Sequence, residues 1–280
     1  MCCTSRHEGT KGGYHCPMRG HSLIGLLVAV AILLVLGVVM SNAINKSTTG
    51  AGSTLSGTVS SFQDKQYLAS IYQTLVVEAQ LSRDGRFLVP SALTRRLDAG
   101  DDTTANLFSA MVAQHSIPPA QMISGNEMSP YVKLDEDYDY AAYNAADDTY
   151  WDPNFTADLT WESNTSFAHP PLYGNRLRRY WHTGVGSRTP LLGNRGPKDG
   201  VANPDSWTYN RQGRWAGHLV FGDGHVEFVQ TFTRNGIFLQ GPGGNQPDNL
   251  FRMEQGADGS DVVLSFTNQM TVDGPVLQYD

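Results

Sequence analysis

From Leu23 to Met40 the chain reads LIGLLVAVAILLVLGVVM, 18 residues in a row without a polar side chain. A helix of that length is roughly 27 Å long, about the thickness of the hydrocarbon core of a bilayer. A core helix of a globular domain keeps a polar stripe, and this run is apolar all round. The pattern predicts a transmembrane helix over residues 21–43, with Leu23, Ile24, Leu26, Leu27 and Met40 in the lipid. Arg6, Lys11 and Arg19 precede the run, whereas only Lys46 follows it closely. The positive-inside tendency therefore predicts a cytoplasmic N-terminus and residues 44–280 on the far side. A secretory signal peptide would have a shorter apolar core and a small-x-small cleavage site, which Ala43 matches poorly. Cys16 lies before the apolar run, where a lipoprotein would carry its cysteine after it.

The whole chain has 280 residues, 40% hydrophobic and 17% charged, enough for a sizeable core. A formal charge of -7 argues against a nucleic-acid partner, which calls for a basic face. The three cysteines, Cys2, Cys3 and Cys16, all fall within the first 16 residues. Beyond them no disulfide, zinc ribbon or thiol nucleophile can form.

The segment Arg19-Gly20-His21-Ser22-Leu23-Ile24-Gly25-Leu26-Leu27 resembles the N-terminus of type IV prepilins and type II secretion pseudopilins. The resemblance implies that a prepilin peptidase cuts after Gly20 and that His21 becomes the methylated N-terminus. It also implies retention of the apolar helix and partnership with other pseudopilin subunits, secretion inner-membrane proteins and membrane lipid. Two positions depart from the pattern: His21 stands where the family has Phe, and Gly25 where it has Glu.

After the apolar run, Gly, Ser and Thr dominate residues 44–61, which predicts a hinge. Apolar residues then recur at 68, 71, 72, 75, 76 and 79, the stripe of an amphipathic helix over 62–83 that ends near Asp84-Gly85. That helix and the following Asp84-Gly85-Arg86-Phe87, with Pro90 beyond, resemble the stem and "dnnGrFP" turn of bacterial pseudopilin-like proteins. A second helix is expected over Thr104–His115, closed by Ile117-Pro118-Pro119. Twelve residues between 131 and 183 are aromatic, and all five Trp lie between 151 and 215. Without a sustained period, residues 126–215 read as a loop-rich insertion whose aromatics supply its core. A ligand platform, for instance for sugars, is the other reading.

The clearest β signal is His218-Leu-Val-Phe221-Gly-Asp223-Gly224-His225-Val-Glu-Phe228-Val229, two alternating runs around Asp-Gly. A two-residue turn at Asp223-Gly224 sets Gly222 opposite His225 and Val220 opposite Glu227. Leu219, Phe221, Val226 and Phe228 then share the core face, with His218 and His225 on the other. Further strands are expected at Gly236–Gln240 and Asp261–Phe266, separated by the Gly/Pro-rich Gly241–Asn249. The hairpin resembles a planctomycete-type pseudopilin-like signature, in which nine residues separate a His from Asp-Gly and "HVef" follows. Position 213, where that His belongs, is Gly213.

The chemistry of other residues points to little. On the two-residue turn, His218 and His225 are roughly 13 Å apart, too far for one metal ion. His169 and His182 have no His-x-x-x-His spacing. The acidic run Asp135–Asp139 and the pair Asp147-Asp148 lack the EF-hand pattern and read as solvated loop. Elbow, P-loop and dinucleotide-binding fingerprints are absent. Leu192-Gly-Asn-Arg-Gly-Pro197 reads as a turn. The expectation is an α+β fold, a stem helix on an antiparallel sheet, with no metal, cofactor or enzymatic activity. The expected function is that of a pseudopilin-like structural subunit, minor because of Gly25. A membrane-anchored periplasmic enzyme or ligand-binding protein is the alternative, favoured by the aromatic region.

Overall fold

The computed structural model describes residues 52–280 apart from 202, 204–205, 207–214 and 242–243, with side chains described from Ser60 onward except over 234–246. The expected leader, transmembrane helix and cleavage site (Gly20, His21, Leu23, Ile24, Leu26, Leu27 and Met40) lie outside the described residues. Among the described residues no helix is long and apolar enough to cross a membrane. Contacts divide the chain into two units, Met1–Leu55 and Ser56–Asp280, and the core lies in the second.

The fold is α+β. Helix α1 runs over Gly52–Leu81. Leu68, Ile71, Leu75 and Ala79 are buried, which is the stripe expected from the sequence. Residues 52–61, expected as part of the hinge, are helical here. Each Gly, Ser or Thr disfavours helix by under about 1 kcal/mol, and tertiary contacts that begin at Ser61 and Asp64 outweigh that. The helix ends where Gly85 turns left-handed (φ 66°), and a side chain there would strike Thr183. Beyond it, Phe87 N–H donates to the Trp181 carbonyl and the Trp181 indole donates to the Leu88 carbonyl at 2.7 Å.

Helix α2 (Thr104–Ala113) is capped by the Thr103 hydroxyl, which accepts from the Asn106 amide. It stops two residues short of the expected His115, which itself adopts φ 56°. Its residues from Leu107 to Ala113 are all buried, so it is an internal helix.

The main sheet is antiparallel with strand order β3-β4-β5-β6: β3 Phe167–Ala168, β4 Pro190–Asn194, β5 Gly217–Phe221 and β6 Val226–Val229. Two of these strands come from the stretch read as an insertion, which therefore supplies half the sheet. Leu192-Gly193-Asn194, expected in a turn, belongs to buried β4. Smaller hairpins pair β1 (Ala157–Asp158) with β2 (Glu162–Ser163), β7 (Thr233–Gly241) with β8 (Gly244–Asn249), and β9 (Phe266–Thr271) with β10 (Gly274–Gln278). The strand expected over Gly236–Gln240 is present within β7. β8 occupies the Gly/Pro-rich stretch expected to be loop, and β9 begins only at Phe266, where Asp261–Phe266 had been expected.

The sheet separates two cores. Val220 and Phe167 join α1, α2 and Trp181 on one side. Leu219, Phe221, Ala168 and Trp215 join Leu250, Phe251, Leu264 and Phe266 on the other. Strand β5 is thus buried on both faces, where a half-solvated strand had been expected. Helix α3 (Gly174–Tyr180) adds one more tie. Its buried Arg176 pairs with Asp261 and donates to the carbonyls of Gly256, Ala257 and Asp261.

Candidate functional site: the signature hairpin and the buried carboxylate of the stem helix

The β5–β6 hairpin is present, but its register is one residue away from the sequence expectation. Val220 pairs with Val226, Leu219 with Glu227 and His218 with Phe228. The Gly224 amide donates to the Phe221 carbonyl at 2.8 Å and Phe221 N–H donates to the His225 carbonyl at 3.0 Å. The loop is therefore the three residues Gly222-Asp223-Gly224, with Gly224 left-handed at φ 85°, as a G1-type bulge requires. One extra loop residue flips the alternation of one strand relative to the other. Phe221 is buried and Phe228 exposed on the opposite face, so the expected shared face of Phe221 and Phe228 is overturned. His218 and His225 likewise lie on opposite faces, and His218 is buried where a solvent-facing ring had been expected.

The loop tip is held from two sides. The Tyr72 hydroxyl, on α1, donates to the Gly222 carbonyl at 2.6 Å. Burial, and then the nearby Asp223 charge, raise that phenol above its ordinary value. A Cβ on Gly224 would sit 2.6 Å from the Tyr72 ring, and one on Gly222 would sit 2.4 Å from the Val185 carbonyl oxygen. Both glycines are thus required by close approach. His225 stacks on Phe221 (centroids 4.4 Å, 6° between planes) and its Nδ1–H donates to Asp223 at 2.5 Å. That bond holds the Asp223 carboxyl below its ordinary range. The residues Phe221, Asp223, Gly224 and His225 form a folded tip fastened to the stem helix.

Two turns earlier on α1 lies Asp64, buried and polar on the same stripe as Leu68 and Ile71. It accepts from the Ser124 hydroxyl (2.7 Å), the Gly125 amide (2.9 Å), and the Asn126 and Asn194 amides (each 3.2 Å). Asn194 in turn accepts from the His218 backbone N–H at 2.8 Å. Next to this junction, Arg195 donates to Glu127 through both terminal nitrogens (2.5 and 2.7 Å) and pairs with Asp280 at 3.2 Å. Burial alone would raise the Glu127 carboxyl, but the Arg195 guanidinium overrides it and the net shift is downward. Asp64 was missed in the sequence, where its place four residues before Leu68 on the helical stripe was the signal that could have found it. The Arg195–Glu127 pairing carried no such signal.

His169 and His182 are structural. His169 is fully buried, donates from Nδ1 to the Pro170 carbonyl and accepts from Thr104 at 2.9 Å. Burial pushes it down to about 4. His182 reaches only the carbonyls of Arg179 and Thr183. Ser61 and His218 approach to 3.4 Å, and burial lowers that imidazole below its ordinary value against the pull of the nearby Asp64 charge. Asp135, Asp139 and Asp147 cap their own turns or local side chains, and Asp148 accepts from the Arg95 amide. Among the described residues no three His, Cys, Asp or Glu side chains converge on a metal-sized space.

No family model matches the chain, and neither a curated protein nor a solved structure matches it.

Proposed function

We propose that this chain is a pilin-like structural subunit, anchored in the inner membrane by one N-terminal helix and carrying its globular domain in the periplasm. A prepilin peptidase cuts it after Gly20, and it assembles as a minor subunit with other pseudopilins. The observation that carries the reading is a long helix, α1, which begins soon after the apolar run and packs its stripe on an antiparallel sheet. The tip residues of the signature hairpin support it, because they are spent on fastening the sheet to that helix. The enzyme reading finds less support: among the described residues the closest hydroxyl–imidazole pair, Thr104–His169, is sealed from solvent.

The minor role rests on Gly25. In the family picture a Glu at this place neutralises the amine of a neighbouring subunit inside the membrane, where an unpaired charge costs at least ~2.5 kcal/mol. Leu23–Met40 offers no other charge. Mass spectrometry of the membrane-extracted protein tests the assignment. An N-methylated His21 is expected, and Gly20→Leu should keep the leader. A mature chain that begins elsewhere, or one that loses its leader despite Gly20→Leu, refutes it. Crosslinking along the span should give short products, and long homomeric ladders would rule out a minor role.

A further inference from the structure

We propose that the outer edge of the β1–β2 hairpin is a docking surface for an arginine-bearing cationic segment of a partner protein. Three segments lie side by side there. Ser163 N–H donates to the Tyr131 carbonyl at 2.8 Å and Lys133 N–H to the Ser163 carbonyl at 2.9 Å, so residues 131–133 run alongside β2 in parallel. Val132 and Ser163 point inward and are buried, which leaves Tyr131, Lys133 and Glu162 outside.

The exposed side chains are of an unusual kind for a free surface. Trp161, at the hairpin tip, is 78% exposed, Met128 70%, and Tyr131 and Leu134 42% each. Trp, Tyr and Met are the residues that anchor protein interfaces, and here Trp161 and Tyr131 are carried on two neighbouring segments joined by backbone hydrogen bonds. The hairpin is not loose: Asp158 accepts from the Thr160 amide and hydroxyl, and Gln278 bonds both Asp158 and the Leu159 amide. A rigid support lets Trp161 act as an anchor without ordering cost.

Charge selects the occupant. From Leu134 to Asn175 the chain has nine Asp and Glu and no Lys or Arg. Asp135 accepts from the Asp137 amide at 3.2 Å, and burial first, then the charges of Asp152, Asp137 and Glu162, raise its carboxyl above the ordinary range. The local cation, Lys133, is already paired with Glu162 at 3.6 Å. Such a rim repels anionic lipid headgroups, and a neutral glycan would leave its charge unused. A guanidinium meets both features, since it pairs with carboxylates through its planar fork and stacks on aromatic faces.

The test uses the full chain in neutral detergent and fluorescently labelled octa-arginine, read by anisotropy. Saturable binding is expected, weakened by about tenfold or more in Trp161→Ala and in Tyr131→Ala. Asp137→Asn/Glu162→Gln should weaken it similarly. Asp84→Asn/Asp273→Asn removes the same charge from exposed sites elsewhere and should leave it unchanged. All four side-chain positions at the surface are exposed or partly exposed, so folding is checked simply by unaltered emission of buried Trp181 and Trp215. Equal loss in both charge-matched pairs, or no loss in Trp161→Ala, would reduce the binding to diffuse attraction and overturn the proposal. So would failure of octa-arginine where N-acetylglucosamine oligomers or phosphatidylglycerol vesicles bind.

Discussion

Asp64→Ala tests whether the stem helix is fastened by one buried carboxylate. The substitution removes the acceptor of four hydrogen bonds, and its cost depends on which donors can find water instead. Gly125 and Asn126 are exposed, so their N–H groups resolvate at little cost. Ser124 and Asn194 are buried and would be left unpaired, at about 1–3 kcal/mol each. Against this, a buried carboxylate paired with no cation among the described residues is no longer held out of water, which returns part of that amount. The net expectation is a loss of about 2–4 kcal/mol. For a domain of this size a loss of 1 kcal/mol lowers the melting temperature by about 2–4 °C, so the midpoint should fall by roughly 5–15 °C. Thermal unfolding of the full chain in detergent, followed by the emission of buried Trp181 and Trp215, reads it directly. Asp64→Asn keeps one acceptor oxygen but sets an NH2 group against the same donors, and should recover little. A midpoint within about 2 °C of the unaltered protein for Asp64→Ala would refute the claim that these bonds fasten the helix.

Gly222→Ala should destabilise by about 1–3 kcal/mol in urea unfolding, because its Cβ meets the backbone of Val185 and Gly186. Gly186→Ala, which meets nothing, should be near neutral, and equal effects would contradict the packed tip. Phe221→Ala should cost about 3–5 kcal/mol and Phe228→Ala much less by the same measurement, the reverse order being incompatible with the observed register. His169 titrates at about 4 in the fold and 6.5 in the open chain, so the unfolded state binds the extra proton between those values. The stability held by its neutral ring is whole above about pH 6.5 and drains as pH falls to 4, in all on the order of 3 kcal/mol. Urea midpoints of the unaltered protein should therefore fall across that window relative to His169→Gln, and parallel curves would show that the ring is not buried as described.

How much of this was legible depends on whether the deciding contact is local. The stripe at Leu68, Ile71, Leu75 and Ala79 has helical spacing and needs nothing distant, so α1 was readable. Asp-Gly between alternating runs gave the hairpin, yet not its register, because Gly222-Asp223-Gly224 accommodates either a two- or a three-residue loop. What selects the longer loop is Tyr72 and the Val185 carbonyl, far away in sequence. β4 was misread as a turn for the same reason. Gly193 and Asn194 favour loops locally, but Gly193 is pressed against Leu219 and the His218 carbonyl, where no side chain fits. The aromatic stretch was correctly read as core-forming at Phe155, Phe167 and Trp181, while its contribution of two sheet strands left no periodic trace.

Strand β5 has consequences for the timing of folding. One of its walls is α1, made earlier in synthesis, and the other is built from Leu250, Phe251, Leu264 and Phe266, made after β5 itself. A growing chain can therefore close the first core around Val220 while Leu219 and Phe221 still lack their cover. Until the second wall arrives, those two side chains are bare apolar surface on an incomplete sheet, the condition in which nascent chains adhere to chaperones and to one another. The same late segment also brings Asp261 to the buried Arg176. In a chain of this design the second core closes only after the segment from Leu250 to Phe266 has been made.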